Sequence, residues 1–231
     1  MTAHRLKWIM LCMAAIILAS VTAACDDSQT DGPSTQLLQQ IVSFTGNSDN
    51  GRVGFQYRAV DDSPLVTLWA PGRISEKDAK PGDRLLLTYR LASDRNPAEG
   101  GEVMVTGLQR ILTDTVATAP APVSPGGLYL LTIQRSGQYL DIAAMMPQTT
   151  DRSITLTASS TTPDAEGLID LTIDAIAGKD ADQTYMAQAW ASLWIGPVWT
   201  RSDVSGVRVR VNNTNNPYRS EFTFKKTTIN D

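Results

Sequence analysis

Residues 80–91, KPGDRLLLTYRL, decide the fold class of this chain. Proline and glycine at positions 81 and 82 indicate a turn, because proline fixes one backbone torsion and glycine adopts conformations that other residues avoid. After the turn, apolar and polar side chains alternate, with Leu85, Leu87, Tyr89 and Leu91 on one parity and Arg84, Thr88 and Arg90 on the other. A period of two places the apolar side chains on one face, which predicts a half-buried antiparallel strand.

The same alternation recurs along the chain, between turn signals. In the first half it predicts five strands, near residues 37–44, 52–60, 64–70, 84–92 and 102–112. In the second half it predicts seven strands, near residues 128–134, 138–145, 153–159, 168–176, 184–195, 206–212 and 218–226. No window predicts an amphipathic helix of about twelve residues or more. The predicted fold class is therefore all-β.

A proline-rich and glycine-rich stretch at residues 118–127 indicates a linker, because it can continue neither a helix nor a central strand. It divides the chain into two parts of a size that small β domains have. Five short strands in residues 35–117 predict a small barrel of the OB type. Seven strands with regular turns in residues 128–231 predict an antiparallel β-sandwich.

Residues 1–24 comprise a short basic start, an apolar core of about a dozen residues and an exit of small residues. This arrangement is typical of a secretory signal peptide, and the core is shorter than the roughly 20 residues that a membrane span needs. Because Cys25 follows the exit, the leader resembles a bacterial lipoprotein signal. The resemblance implies cleavage after Ala24 and lipidation of Cys25, although Thr22 stands where that signal usually has leucine. The alternative is an ordinary signal peptide with an incidental cysteine.

Residues 25–34 are predicted to be the lipidated cysteine and a flexible tether, since the segment is polar and rich in turn residues. Stable anchoring needs about two acyl chains, which a diacylated cysteine supplies. Asp26 and Asp27 resemble the acidic runs that direct some Gram-negative lipoproteins to the cell surface, and their alternative role is to solvate the tether. We therefore expect a protein anchored by lipid in the outer membrane and displayed on the cell surface.

The composition excludes several kinds of chemistry. The 231 residues include one histidine and two cysteines, and the formal net charge is −4. Cleavage after Ala24 removes His4, Cys12 and two basic residues, which leaves a net charge of −6. A chain without histidine has no Ser-His-Asp or Cys-His nucleophile, and with one cysteine it has no thiolate metal cage or internal disulfide. We predict no catalytic residue, no cofactor and no metal site, and the negative charge opposes binding of nucleic acid.

The order of these features resembles the NigD-like envelope lipoproteins. The resemblance rests on strand patterns at residues 37–44, 64–69, 81–89, 103–105, 111–113, 137–142, 171–175, 179–182 and 191–194. It implies an N-terminal OB-type barrel and a C-terminal sandwich behind a lipidated cysteine. The stretch Ile173-Asp174-Ala175 lacks a histidine that this family often has. The family takes its name from a bacteriocin-associated locus and has no established activity, so the resemblance implies fold and location more than function.

Three tryptophans, Trp190, Trp194 and Trp199, are the candidate ligand-binding residues. In a strand, residues 185–195 place alternate small and apolar side chains in the core, and Trp190 and Trp194 on the opposite face. Two exposed tryptophans would form a stacking platform for a sugar or a peptide. Two alternatives remain open: the opposite face is covered by the other domain or a long loop, or the segment is a short alanine-rich helix.

Paired acidic residues can form a glycan-hydrolysing pair or a calcium site. Asp170 and Asp174 share one strand face, and Asp180 and Asp182 lie in a turn. The turn lacks the distant glutamate of a full calcium loop, and solvated surface acids explain these positions better.

Two short patterns indicate modification. Asp114-Thr115-Val116 resembles an O-glycosylation pattern of some envelope proteins, which makes Thr115 a candidate site. Asn212 begins an N-glycosylation pattern that a bacterial lipoprotein would rarely use. The predicted function is a non-enzymatic binding or assembly module whose partners are the membrane, through its lipid, and a glycan or envelope protein. The alternative is a carboxylate-based glycan hydrolase.

Overall fold

The computed structural model describes residues 36–93, 96–122, 125–149, 151–178 and 182–226. Within these ranges the regular secondary structure is almost entirely β-strand, so the predicted all-β fold class is confirmed. The predicted leader, the cleavage site at Ala24, the lipidation site at Cys25 and the tether lie outside the described residues. The division into domains at residues 35–117, 118–127 and 128–231 stays a prediction.

A closed five-stranded barrel forms the first part of the described chain. Its strands are β1 (Leu38–Asn47), β2 (Arg52–Tyr57), β3 (Val66–Pro71), β4 (Arg84–Leu91) and β5 (Gly101–Arg110), in the order β1-β2-β3-β5-β4. Neighbours are antiparallel except β3 and β5. Each strand lies within about three residues of its predicted position, because alternation of side chains is a local signal.

The turn before β4 fastens it to β1. Gly82 has a φ of 96°, a conformation that favours glycine. Its N–H donates to the Phe44 carbonyl at 2.8 Å, and the Phe44 N–H donates to the Asp83 carbonyl at 2.9 Å. Phe44, Leu87 and other inward side chains of these two strands then fill the barrel core. The turn and the strand that decided the fold class therefore also close the barrel.

Two sheets form a sandwich from the remaining strands. Its strands are β6 (Leu112–Thr115), β7 (Ala117–Thr118), β8 (Tyr129–Ser136), β9 (Tyr139–Gln148), β10 (Ser153–Ala158), β11 (Leu168–Ile176), β12 (Asp182–Trp194), β13 (Gly206–Val211) and β14 (Glu221–Lys225). One sheet has the order β14-β13-β11-β10-β7, and the other has the order β6-β12-β9-β8. The seven strands predicted for this region are all present.

The sheets of the sandwich are mixed, which corrects the expectation that they are purely antiparallel. β11 pairs in parallel with β13, because β12 crosses to the other sheet between them. The short strands β6 and β7 also pair in parallel, with β12 and β10. Neither was predicted, since four residues and two residues are too short to show a clear alternation.

The strand β12 resolves one open alternative, because residues 182–194 are a strand and not an alanine-rich helix. Ala189, Ala191, Leu193 and Ile195 are buried in the sandwich core, as the alternation predicts. Tyr185 has the same parity, but it is 62% exposed, so the prediction that it belongs to the core is wrong. The chain then makes a single helical turn, α1 (Gly196–Trp199), and runs on to β13. The even-numbered side chains of β12, from Met186 to Trp194, therefore lie on the outer face of their sheet.

Candidate functional site

The candidate site lies at the seam where the outside of the barrel meets the outer face of the four-stranded sheet. Ile41 and Leu86 are opposite each other on the outside of the barrel, yet both are buried. Ala143, on the outer face of β9, is buried too. These apolar side chains belong to neither core, so their burial indicates that the barrel and the sandwich cover each other at this seam.

A buried ion pair crosses the seam. Arg84 lies at the start of β4 and points out of the barrel, and its Nη2 donates to both carboxylate oxygens of Asp141 on β9 at 2.8 Å. Its Nε donates to the Ser192 hydroxyl at 2.9 Å, and that hydroxyl donates to Asp141 at 2.6 Å. The Arg84 guanidinium also stacks on the Tyr139 ring, 4.4 Å from its centroid. None of the three polar residues is more than 7% exposed, so the cluster is a desolvated connection between barrel and sandwich.

A second arginine reaches from the sandwich to the barrel, whereas Arg84 reaches from the barrel to the sandwich. Arg135, near the end of β8, is 1% exposed and donates two parallel hydrogen bonds to the Asp62 carboxylate at 2.8 and 2.7 Å. Its carbonyl accepts from the Asp61 N–H, and the Asp61 carbonyl accepts from the Gly137 N–H, both at 2.7 Å. The Trp199 ring lies 4.4 Å from the guanidinium carbon. This arrangement ties a loop of the barrel to the end of β8.

The two carboxylates respond differently to their surroundings. Burial raises the pKa of Asp141, because desolvation penalises the charged form, and Arg84 and Ser192 act against that rise. The hydrogen bonds from Arg135 lower the pKa of Asp62, which is half-exposed. As the pH falls, the carboxylate of Asp62 therefore stays charged to a lower pH than the carboxylate of Asp141.

Trp194 lies beside this seam and is the best-placed of the three candidate tryptophans. Its side chain is 40% exposed, and it is opposite Tyr139 in the register of β12 and β9. A Cβ at position 196 would overlap the indole, so the ring lies directly against the backbone of Gly196. Only glycine leaves that space, and the contact fixes the position of the indole.

Two grooves open beside Trp194. The first has a volume of about 390 Å³ and is lined by Gly82, Asp83, Arg84, Thr113, Asp114, Thr115, Tyr139, Ser192 and Trp194. The second, of about 320 Å³, shares Arg84, Tyr139 and Trp194 and extends to Tyr57, Leu65 and Trp199. Each groove combines aromatic side chains with hydroxyl, carboxylate and guanidinium groups, which can offer stacking and hydrogen bonds to a ligand.

The structure does not bring the three tryptophans together into one platform. Trp190 is half-buried and lines a separate groove of about 250 Å³ with Gln39, Gln40 and Ile41. Ser192 and the side chain of Arg84 lie between Trp190 and Trp194. Trp199 is 7% exposed and supports Arg135. The outer face of β12 is thus covered by the barrel at Ser192, as one of the two alternatives states, while Trp194 stays open to solvent.

The carboxylates that line the two grooves are already engaged. Asp83 accepts from the Lys80 N–H at 2.8 Å, and Asp114 accepts from the Leu156 N–H at 2.8 Å. Asp62 binds Arg135. Away from the seam, Asp170 pairs with Arg208 and Asp174 accepts from the Gly126 N–H. Asp180 and the side chain of Asp182 lie outside what the structure describes.

Thr115 is exposed on β6 and lines the first groove, so its candidate modification would lie at the site. In the part of the chain that the structure describes, no group of three or more acidic, histidine or cysteine side chains could hold a metal ion. No helix in the same part is long and apolar enough to cross a membrane.

Sequence reasoning did not identify Arg84, Asp141 and Arg135 as members of a site. A weak signal exists for Asp141, which interrupts the apolar run between Leu140 and Ile142 on β9. A charged side chain within a buried strand needs a partner. The sequence does not point to that partner, since Arg84 is 57 residues away.

The sequence matches no family model, and no curated protein matches it with significance. Solved structures do match its fold. A protein of unknown function DUF1344 from Bacteroides vulgatus ATCC 8482 aligns with a TM-score of 0.59 at 11% identity, over 84% of this chain and 93% of that one. A NigD-like immunity protein from Bacteroides caccae ATCC 43185 aligns with a TM-score of 0.55 at 12% identity, over 83% and 93%.

A candidate lipoprotein from Bacteroides fragilis NCTC 9343 aligns with a TM-score of 0.53 at 9% identity, over 83% of this chain and 96% of that one. At these identities the likeness concerns the fold alone. The chain shares the fold of a NigD-like protein, as the resemblance implies.

Proposed function

We propose that this chain is a NigD-like envelope lipoprotein, anchored in the outer membrane through Cys25, that binds a partner at the grooves beside Trp194 without catalysing a reaction. Its leader and Cys25 support the anchor, and so does its likeness in fold to a candidate lipoprotein. Its likeness in fold to a NigD-like immunity protein supports a role in binding rather than in catalysis.

The exposed indole of Trp194 carries the proposal. The ring is held against Gly196 and stands opposite Tyr139. Its strand, β12, lies between β6 and β9 in the sheet. A rigid aromatic face binds with little loss of side-chain entropy, which is why tryptophan and tyrosine are frequent in binding sites. The seam below it is fixed by Arg84 and Arg135, so the grooves are preformed.

The polar lining favours a glycan or a polar protein segment as the partner. Thr113, Thr115 and Asp83 border the first groove, where their oxygens can exchange hydrogen bonds with hydroxyl or amide groups. The apolar face of a sugar ring or of a side chain would stack on the indole. The net charge of the mature chain opposes a polyanionic ligand such as nucleic acid.

The engaged carboxylates weigh against a glycan hydrolase. Such an enzyme needs two carboxyl groups, about 5–10 Å apart, that reach the scissile bond, and one of them must be protonated. Burial raises the pKa of Asp141, but its carboxylate is 3% exposed and bound by Arg84 and Ser192. Asp83 and Asp114 each have one carboxylate oxygen bound to a backbone N–H group, so binding explains the site better than hydrolysis.

The test is crosslinking and capture of partners from native membranes with the wild-type chain and two variants. Trp194→Ala removes the exposed indole at the grooves, and Tyr218→Ala removes a side chain that is 99% exposed and lines none of these grooves. We expect Trp194→Ala to lose the captured partner, by roughly tenfold or more, and Tyr218→Ala to keep it. Capture that is equal in all three proteins, at equal thermal stability, would contradict the proposal.

A further inference from the structure

The outer face of the four-stranded sheet carries a second feature, away from Trp194. We call it the apolar patch, and it consists of Tyr129, Leu131, Met145, Pro147, Met186 and Trp190. Tyr129 and Met186 are each 40% exposed, and Leu131 is 43% exposed. The sandwich core lies on the opposite face of the sheet, so these side chains are not needed to fill it.

Strand register makes the apolar patch continuous. Met186 on β12 is opposite Pro147 on β9, and Tyr129 on β8 is opposite Met145. Leu131 is the extra residue of a bulge in β8, which brings one more apolar side chain to this face. The other described residues in the same rows are Gln188, Thr132 and the buried Ala143, and none of them carries a charge. Exposed apolar side chains that are grouped in this way on a folded domain indicate an interaction site.

The described chain begins beside the apolar patch. Gln39, Gln40 and Ile41 on β1 line the same groove as Trp190. Residues 26–37, which number twelve, separate Cys25 from β1. Even fully extended, they reach no farther than about 43 Å. If a lipid is attached at Cys25, the start of β1, beside the apolar patch, therefore lies within about 43 Å of the membrane surface.

We propose that the apolar patch rests on the lipid surface to which Cys25 anchors the protein. Tyrosine and tryptophan favour the boundary between water and hydrocarbon, where an apolar ring and a polar edge are both satisfied. The absence of charge on the described residues of the patch suits contact with lipid. The net charge of −6 gives no reason to expect attraction to anionic headgroups. This inference rests on the proposed anchor at Cys25.

The experiment supplies the anchor chemically. Cys25 is the single cysteine of residues 25–231, so its thiol can be coupled to a maleimide lipid in phosphatidylcholine vesicles with brominated acyl chains. Bromine near the headgroup quenches tryptophan fluorescence on contact. We expect quenching that falls several-fold in Trp190→Phe and stays in Trp69→Phe, since Trp69 lies on β3 of the barrel.

A pair of charge variants provides the matched comparison. Tyr129→Glu combined with Met186→Glu places two charges in the apolar patch, and Thr223→Glu places one on an exposed position of the other sheet. We expect the double variant to lose the quenching by roughly fivefold or more and Thr223→Glu to keep it, because carboxylates resist entry into the interface. The charge variants should keep the unfolding temperature of the parent, since Tyr129, Met186 and Thr223 are exposed.

Three outcomes overturn the inference. The first is quenching that does not depend on Trp190, and the second is quenching that survives the double variant. The third is a dimer in solution that protects Met186 from oxidation without lipid, because the patch would then be an interface between two copies. Because the coupling is chemical, a failure of lipidation in the cell leaves these results intact. Mass spectrometry of the natural N-terminus tests the lipidation itself.

Discussion

The Nη2 atom of Arg84 lies 2.8 Å from both carboxylate oxygens of Asp141, although 57 residues separate the two in sequence. Arg84 belongs to the barrel and Asp141 to the sandwich, and both are buried. Their contact fixes where the barrel sits on the sheet and hence the shape of the grooves beside Trp194. Four expectations follow from this seam and its neighbours.

Removing one partner of the buried pair should destabilise the chain strongly. We expect Asp141→Leu to lower the free energy of unfolding by about 3–5 kcal/mol, because the Arg84 guanidinium is left buried without its counter-charge. The double variant Arg84→Met with Asp141→Leu should recover most of the loss. Urea unfolding measures both, and the exposed pair of Arg201 and Asp203 gives the control. Asp203→Asn should change the free energy of unfolding little, because this pair is exposed. If Asp141→Leu also changed it only little, the expectation would be refuted.

The contact between Asp62 and Arg135 should make stability depend on pH at the acid end. The folded-state pKa of Asp62 is lowered by Arg135, so its contribution is present above the ordinary carboxyl pKa of 3.8 and is lost as the pH falls through the lower folded value. Because Asp62 is half-exposed, the contribution is about 1 kcal/mol or less.

The measurement for Asp62 is the urea midpoint of the wild-type chain and of Asp62→Asn between neutral pH and pH 2. The two midpoints should differ near neutral pH and approach each other below the ordinary carboxyl pKa. A difference that stays constant to the lowest pH would show that the charge of Asp62 is not the cause.

Gly196→Ala should dislodge the Trp194 indole, because the new methyl group would occupy its space. We expect a destabilisation of about 1–3 kcal/mol from overpacking. We also expect stronger quenching of Trp194 by acrylamide and weaker capture of the partner. The Trp194→Phe chain identifies the fluorescence that Trp194 contributes. Pro197→Ala, at the exposed next position, is the control and should change none of these readouts.

Thr115 should carry an O-linked glycan if its surrounding pattern acts as a modification signal. The residue is exposed on β6 at the edge of the first groove, so an enzyme can reach it only before or without ligand. Mass spectrometry of the native protein should find the added mass in the peptide that contains Thr115. The mass should disappear in Thr115→Ala and persist in Thr113→Ala, its exposed neighbour on β6. An unmodified peptide from the native source contradicts the prediction.

The longer strands could be predicted because the alternation of apolar and polar side chains is visible within a few residues. Leu85, Leu87 and Tyr89 alternate with polar neighbours, and that period alone places them in the barrel core. The strands β6 and β7 could not be predicted in this way, since their pairing depends on where β12 and β10 lie. Parallel pairing in the sandwich was missed for the same reason: it follows from the path of the chain between sheets.

The candidate site was predictable only in part. The face that Trp194 occupies follows from the period of β12, and its exposure agrees with the predicted stacking surface. Trp199 is buried because it packs against Arg135, which comes from a distant strand. In the same way, Arg84 comes from the barrel and separates Trp190 from Trp194. Pairing of charges across a seam leaves no periodic trace in the sequence.

The short segment that contains β6 and β7 also has a consequence for cutting the chain. Residues 112–118 supply one strand to each sheet of the sandwich, with Val116 between them. A fragment that started at residue 119 would therefore leave β12 and β10 as bare sheet edges, which recruit strands from other molecules. A soluble sandwich fragment has to start before Leu112, on the barrel side of the proline-rich stretch. During synthesis, residues 112–118 follow directly after the barrel strands, although they complete the two sheets of the sandwich.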